Sequence, residues 1–169
     1  MTKQTKNTRQ RGFTLIELLV VIAIIGILSA VVLASLNTAK NKSNDVAVKA
    51  NLNAVGTQAA LFLSDNSNVY GVFDNGTGGP AACPAPGVAG SSVFHNATVE
   101  KAIAAALVNS SGGSTSCVST NNSYAVAVSR PADVASTTST YWCVDNSGSH
   151  CGINTLMTGP SCGTCVTSQ

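Results

Sequence analysis

The chain has 169 residues, 9% of them charged and 44% hydrophobic, which leaves room for one domain and little more. So few charges, against roughly 25% in an ordinary soluble domain, exclude a highly charged disordered chain, a histone-like basic protein and an acidic tail. The net charge of +2 is concentrated at one end: Lys3, Lys6, Arg9 and Arg11 precede residue 13, and the rest carries five bases against seven acids, which disfavours a phosphate-binding surface.

Residues 13–36 read FTLIELLVVIAIIGILSAVVLASL, 24 residues with one charge, Glu17, and no proline. As a helix this stretch spans about 36 Å, enough to cross a hydrocarbon core of about 30 Å. The basic flank before it places residues 1–11 in the cytoplasm and the body outside. A permanent anchor fits this pattern. A secretory signal peptide, with small residues such as Val32 and Ala34 before a cut, fits less well, because the apolar run exceeds the usual 7–15 or so residues. Neither explains Glu17. A carboxylate in an apolar helix costs about 2.5–3.5 kcal/mol near a bilayer centre and calls for a partner.

The run Arg11-Gly12-Phe13-Thr14-Leu15-Ile16-Glu17-Leu18-Leu19-Val20, continuing through Leu28, resembles the prepilin signature of type IV pilins and type II secretion pseudopilins. The resemblance implies cleavage by a prepilin peptidase/methyltransferase between Gly12 and Phe13, with Arg11 and Gly12 read by the peptidase and Phe13 N-methylated. Residues 1–12 would then be a cytoplasmic leader that is removed, 13–36 the transmembrane and filament-core half of a long helix, and 37–169 an extracytoplasmic head that includes the helix's amphipathic half. The resemblance also supplies a partner for Glu17, the amino terminus of a neighbouring subunit. Two groups that are costly in lipid would neutralise each other at assembly.

The helical pattern runs on past Leu36. Val48, Leu52, Val55, Ala59 and Phe62 recur at spacings of four, three, four and three, with Lys49, Asn51, Asn53 and Gln58 largely off the stripe. The spacing predicts one helix over 13–63, about 77 Å long. Gly26 and Gly56 are its weak points, each costing roughly 0.8–1 kcal/mol against alanine, unless Gly26 serves a tight helix–helix contact. Residues 64–71 end the helix with turn formers, and 74–92 read as a loop rich in Gly, Pro, Ala and Ser. Thr98 is the expected N-cap of a second helix, Val99 to Val108.

Two antiparallel strands follow, over 123–129 and 139–145, with Pro131 closing the first and residues 146–148 turning the chain after the second. The fold class expected is α+β: a pilin-like lollipop whose long helix packs its C-terminal half on a small antiparallel sheet with disulfides.

Cys83, Cys117, Cys143, Cys151, Cys162 and Cys165 all fall in the exported part, and an even count outside the cytoplasm points to disulfides. Symmetry about Ser147 suggests Cys143–Cys151. Cys83–Cys117 would staple the long loop, and Cys162–Cys165 could close on itself. The alternatives are zinc on Cys143, Cys151, Cys162 and Cys165 beside His150, and a redox role for Cys162-Gly163-Thr164-Cys165. The first lacks a second Cys-x-x-Cys, and the second lacks the surrounding strand-to-helix transition.

Catalysis has little to work with. His95 and His150 are the two histidines, and no nucleophile–base order, paired carboxylates or phosphate-cradling loop is present. Asp65, Asp74 and Asp145 sit near turns without the alternating oxygen ligands of a calcium loop. No cofactor or metal is expected.

The function expected is therefore structural: a subunit of a type IV pilus-like filament, in the cytoplasmic membrane before assembly and on the cell surface after it. Its implied partners are the peptidase, an assembly ATPase with its inner-membrane platform, and identical or minor pilins. The alternatives are a type II secretion pseudopilin and a minor pilin acting as an adhesin or in DNA uptake. Lys101 and Arg130 are the head's basic residues beyond Leu63, too few for a nucleic-acid surface.

Overall fold

The structure, a computed structural model, describes residues 12–110, 112–131 and 139–168, with Thr167 and Ser168 described by backbone alone. The expected leader and Arg11 lie outside the described residues. The chain divides between Asn37 and Thr38 into two units. The first helix, α1 (Leu15–Asp65), contributes to both and runs through Gly26 and Gly56 without a break. In the first unit every described side chain up to Asn37 is exposed.

In the second unit the anticipated stripe is the buried face of α1. Val48, Leu52, Val55 and Ala59 are fully buried and Phe62 partly so. The helix ends two residues later than expected. Ser67 and Asn68 adopt left-handed φ values of 58° and 61°, and Asn68 N donates to Leu63 O at 2.9 Å, which closes the last turn. A 3-10 turn over Val93–His95 leads into α2 (Ala97–Asn109). Its cap is Asn96 rather than Thr98: Asn96 Oδ1 accepts from Thr98 N at 3.0 Å and Val99 N at 3.3 Å. Asparagine caps a helix at least as well as threonine, and starting two residues earlier satisfies two amides with one side chain.

The sheet has five strands where the sequence indicated two: β1 (Thr115–Ser119), β2 (Tyr124–Ser129), β3 (Tyr141–Asp145), β4 (His150–Ile153) and β5 (Thr167–Ser168). Neighbours in sequence are neighbours in space and every pair is antiparallel. Isolated bridges from Phe73 to Ser119 and from Ala81 to Cys117 lay the long loop along the free edge of β1.

Both faces of the sheet are covered, and along β2 they divide by side-chain size, while Val118 and Ile153 add larger side chains to the tail-covered face. Tyr124, Val126, Val128, Trp142 and Val144 face α1 and α2, whereas Ala125, Ala127, Cys143 and Cys151 form a second cluster with Met157 and Cys162 of the C-terminal tail. The alternation of large and small residues along β2 thus assigns helices to one face and a thin covering of tail to the other.

All six cysteines are bonded. Cys83 pairs with Cys117, as the sequence suggested, but Cys143 pairs with Cys162 and Cys151 with Cys165. This corrects the expected Cys143–Cys151 and Cys162–Cys165 bonds. Cys143 and Cys151 do stand opposite one another in register. However, they belong to the small-residue face, where burial requires the tail, and the Cys-x-x-Cys spacing lets that tail reach two strands about 4.8 Å apart. The four thiolates of the zinc alternative are spent in these two bonds.

A buried ion pair ties Arg130, the residue after β2, to α1. Arg130 Nε donates to Asp45 Oδ1 at 2.6 Å and Nη2 to Asp45 Oδ2 at 2.8 Å, while Nη1 reaches Ser139 Oγ at 2.6 Å. Lys49 adds a second cation 3.3 Å from Asp45 and lies 4.6 Å above the Trp142 ring. Burial opposes ionisation of Asp45, but hydrogen bonding and charge from Arg130, then Lys49, outweigh it and hold the carboxyl below its usual range. Asp145 is likewise held low: burial is outweighed by hydrogen bonds from Cys162 N, Ser147 and Ser149 N. Groups with depressed folded-state values stabilise the fold above the unfolded aspartate range near 3.9 and lose that contribution as pH falls. Chemical denaturation from pH 7 to pH 3 should therefore show stability falling below about pH 4, with a shallower decline in Asp45→Asn.

Candidate functional site

The N-terminal segment is where sequence and structure together place unusual chemistry. Gly12 and Phe13 precede α1 outside any regular element and are exposed; Phe13 is 87% exposed, and among the described residues no atom approaches the position of a Gly12 Cβ within 4 Å. A peptide bond so placed is open to a protease.

Thr14 and Glu17 form a reciprocal cap at the start of α1. Glu17 Oε2 accepts from Thr14 N and from Thr14 Oγ1, both at 2.8 Å, and Thr14 Oγ1 accepts from Glu17 N at 3.3 Å. This is the Thr-x-x-Glu capping box, in which each side chain satisfies an amide that the helix geometry leaves bare. The signal is local in the sequence, Thr and Glu three residues apart ahead of an apolar run, and it gives Glu17 a partner within its own helix. One carboxylate oxygen is committed to Thr14; Glu17 Oε1 has no partner among the described residues.

Beyond Glu17 the helix presents apolar side chains on every side. Sixteen large ones from Phe13 to Leu36 are exposed, from 48% at Val20 to 87% at Phe13. Burying each stabilises by about 1.5–3 kcal/mol, a total exceeding the stability of a whole domain, about 5–15 kcal/mol. A helix apolar all round belongs in a bilayer or among other helices. This segment is long and apolar enough to cross a membrane.

The remaining sequence candidates are structural in their surroundings. His95 Nδ1 lies 2.8 Å from Ser92 Oγ beside the 3-10 turn, and His150 Nδ1 lies 2.6 Å from Asn53 Oδ1 on α1. Asp74 Oδ1 accepts from Gly76 N at 2.6 Å within its own turn. Asp145 accepts from Ser147 N, Ser147 Oγ and Ser149 N through Oδ1, and from Cys162 N through Oδ2. The aspartates at turns therefore organise backbone, and Asp145 additionally fixes the tail to the β3–β4 turn. Among the described residues no cluster of three His, Cys, Asp or Glu side chains could hold a metal ion.

Comparison with known proteins bears on the same segment. Residues 7–33 match the family model described as the prokaryotic N-terminal methylation motif. The chain is 42% identical over 72 residues to the type IV major pilin protein PilA of Myxococcus xanthus, covering 43% of this chain and 32% of that one. It is 47% identical over 58 residues to the type IV wide pilus major component PilA4 of Thermus thermophilus, covering 34% and 44% respectively. It is also 37% identical over 70 residues to the type II secretion system core protein G of Dickeya chrysanthemi, covering 41% and 45%. The chain thus spans less than half the length of each of these relatives. No solved structure matches the chain.

Proposed function

We propose that this chain, which carries the N-terminal methylation motif of the type IV pilin and type II secretion pseudopilin family, is a structural subunit of a type IV pilus-like filament. The observation that carries the reading is an exposed, wholly apolar helix that opens on a capped but half-satisfied glutamate. Prepilin peptidase cuts after Gly12 and methylates the new amine of Phe13, which removes residues 1–12. Residues 13–36 hold the subunit in the cytoplasmic membrane as a single pass, with residues 37–169 outside. On assembly, the same apolar surface passes from lipid to neighbouring helices. Identical and minor subunits then form the polymer, driven by an ATPase and its membrane platform. No step in this reading calls for catalysis by the subunit.

The capping box refines the role of Glu17. Its Oε2 remains on Thr14, which pins the carboxylate at the helix start, and Oε1 is left to receive the Phe13 amine of a neighbour. A charge-assisted bond of this kind contributes about 1.5–3 kcal/mol per contact. Glu17→Ala should therefore lower sheared filament protein by about tenfold or more while the precursor stays membrane-inserted. Normal filament yield would sink the role of Glu17. Mass spectrometry of the N-terminal peptide tests the reading as a whole. N-methylated Phe13 is the expected terminus, and an intact Met1 or a cut near Ala34 would overturn it.

A pseudopilin of a type II secretion system is the second reading, favoured by the similarity to core protein G of Dickeya chrysanthemi and, at 41% identity over 59 residues, of Klebsiella pneumoniae. Cell fractionation separates the two, with sheared surface filaments for a pilus and retention in the envelope for a pseudopilus.

A further inference from the structure

Between the C-terminal half of α1 and the β3–β4 turn lies a cleft of about 310 Å³, lined by Asn53, Gly56, Tyr70, Tyr124, Asn146 and His150 among others. This is near the lower end of the roughly 300–1,000 Å³ that ligand clefts occupy. Tyr70 and Tyr124 are 7% and 3% exposed, and their rings meet edge to face at 4.9 Å. Neither phenol hydroxyl has a hydrogen-bond partner among the described residues, and neither is among the side-chain atoms shut away from solvent without one, so both can be reached from outside. Asn53 and His150 spend Oδ1 and Nδ1 on each other, which leaves Asn53 Nδ2 and His150 Nε2 similarly open.

The opening exists because residue 56 has no side chain. Glycine inside a helix is unfavourable relative to alanine, and nothing in the local backbone demands it here. A Cβ on Gly56 would stand 3.5 Å from His150 Cε1 and 3.7 Å from Tyr124 Oη, ordinary contact distances that the fold could accept. A larger side chain would fill the cleft.

The lining also selects the ligand by charge. No lysine or arginine lines the cleft, which disfavours an anion. Its one carboxylate, Asp145, is buried and already accepts four hydrogen bonds, so it has little left to offer a cation. Two phenol hydroxyls, an amide and an imidazole nitrogen suit a neutral ligand that both donates and accepts at several points. The cleft continues into a groove past Ser149 toward Cys151 and Cys165, which gives such a ligand a path to extend.

We propose that this cleft binds a neutral sugar residue, held by the hydroxyls of Tyr70 and Tyr124, Asn53 Nδ2 and His150 Nε2, with attached residues running along the groove. The proposal does not rest on the filament reading, since the site is complete within one subunit.

Its test is saturation-transfer NMR on the full chain, solubilised in a detergent without a sugar headgroup. The probes are glucose, galactose and N-acetylglucosamine. At least one should receive saturation, Tyr124→Phe should weaken that binding about tenfold, and Gly56→Leu should abolish it. Gly56→Ala covers the event that the leucine variant misfolds: it should keep the circular dichroism of the parent and bind more weakly. Absence of transfer from all three sugars, or transfer that Gly56→Ala and Tyr124→Phe leave unchanged, overturns the proposal.

Discussion

An Arg130→Met chain is expected to lose about 3–5 kcal/mol of stability in urea denaturation. The loss comes less from a missing attraction than from what remains. Asp45, 6% exposed, would keep its charge in a site from which Arg130 had withdrawn two hydrogen bonds. Lys49, at 3.3 Å and partly exposed, compensates only in part. Pairing Arg130→Met with Asp45→Leu should recover most of the loss, because replacing both partners removes the stranded charge. A single-variant loss under 1 kcal/mol would show that water reaches Asp45 and that the pair is a surface one.

Reduction of the three disulfides should unfold the second unit outright. In the chain-entropy picture, bonds closing 34, 19 and 14 residues each restrict the unfolded chain by about 3–4 kcal/mol. The latter two overlap, so their contributions do not add in full. Even so, the total approaches the whole stability of a domain, about 5–15 kcal/mol. Cys83→Ser with Cys117→Ser isolates one bond, with an expected loss of about 3–4 kcal/mol. Near-UV circular dichroism in reductant checks the rest, and a retained Trp142 signal would show that the apolar core suffices alone.

Both expectations concern features that the sequence exposed unevenly. The stripe Val48, Leu52, Val55, Ala59 and Phe62 was legible because helical spacing is a local, periodic signal. So was the segment from Phe13 to Leu36 as an exposed apolar helix, because its unbroken apolar run is itself a local signal. β2 and β3 stood out through Val126, Val128, Tyr141 and Trp142. By contrast, β1 reads Thr-Ser-Cys-Val-Ser and β4 reads His-Cys-Gly-Ile, compositions that single-sequence reasoning assigns to loops. These strands exist because neighbours on both sides satisfy their backbone groups, a tertiary cause with no local trace. Asp45 and Arg130 are 85 positions apart, and no spacing rule joins them. The cysteine map failed for the related reason that register brings Cys143 opposite Cys151, while the choice of bond depends on which face the tail must cover. The cleft at Gly56 hid behind a plausible reading of that glycine as a weak point in a helix.

The interlaced bonds at the C-terminus also order the events of oxidation. In an unfolded, reduced chain, short loops close most readily, so Cys162 is expected to meet Cys165 and Cys143 to meet Cys151 before either finds its native partner. Those early bonds leave the tail unattached and the small-residue face of the sheet open to water. Reaching the native map then takes thiol–disulfide exchange, in which one bond must open before two can form. Oxidative refolding of the reduced chain is accordingly expected to be limited by shuffling, and to be sped by a thiol–disulfide mixture more than by a stronger oxidant.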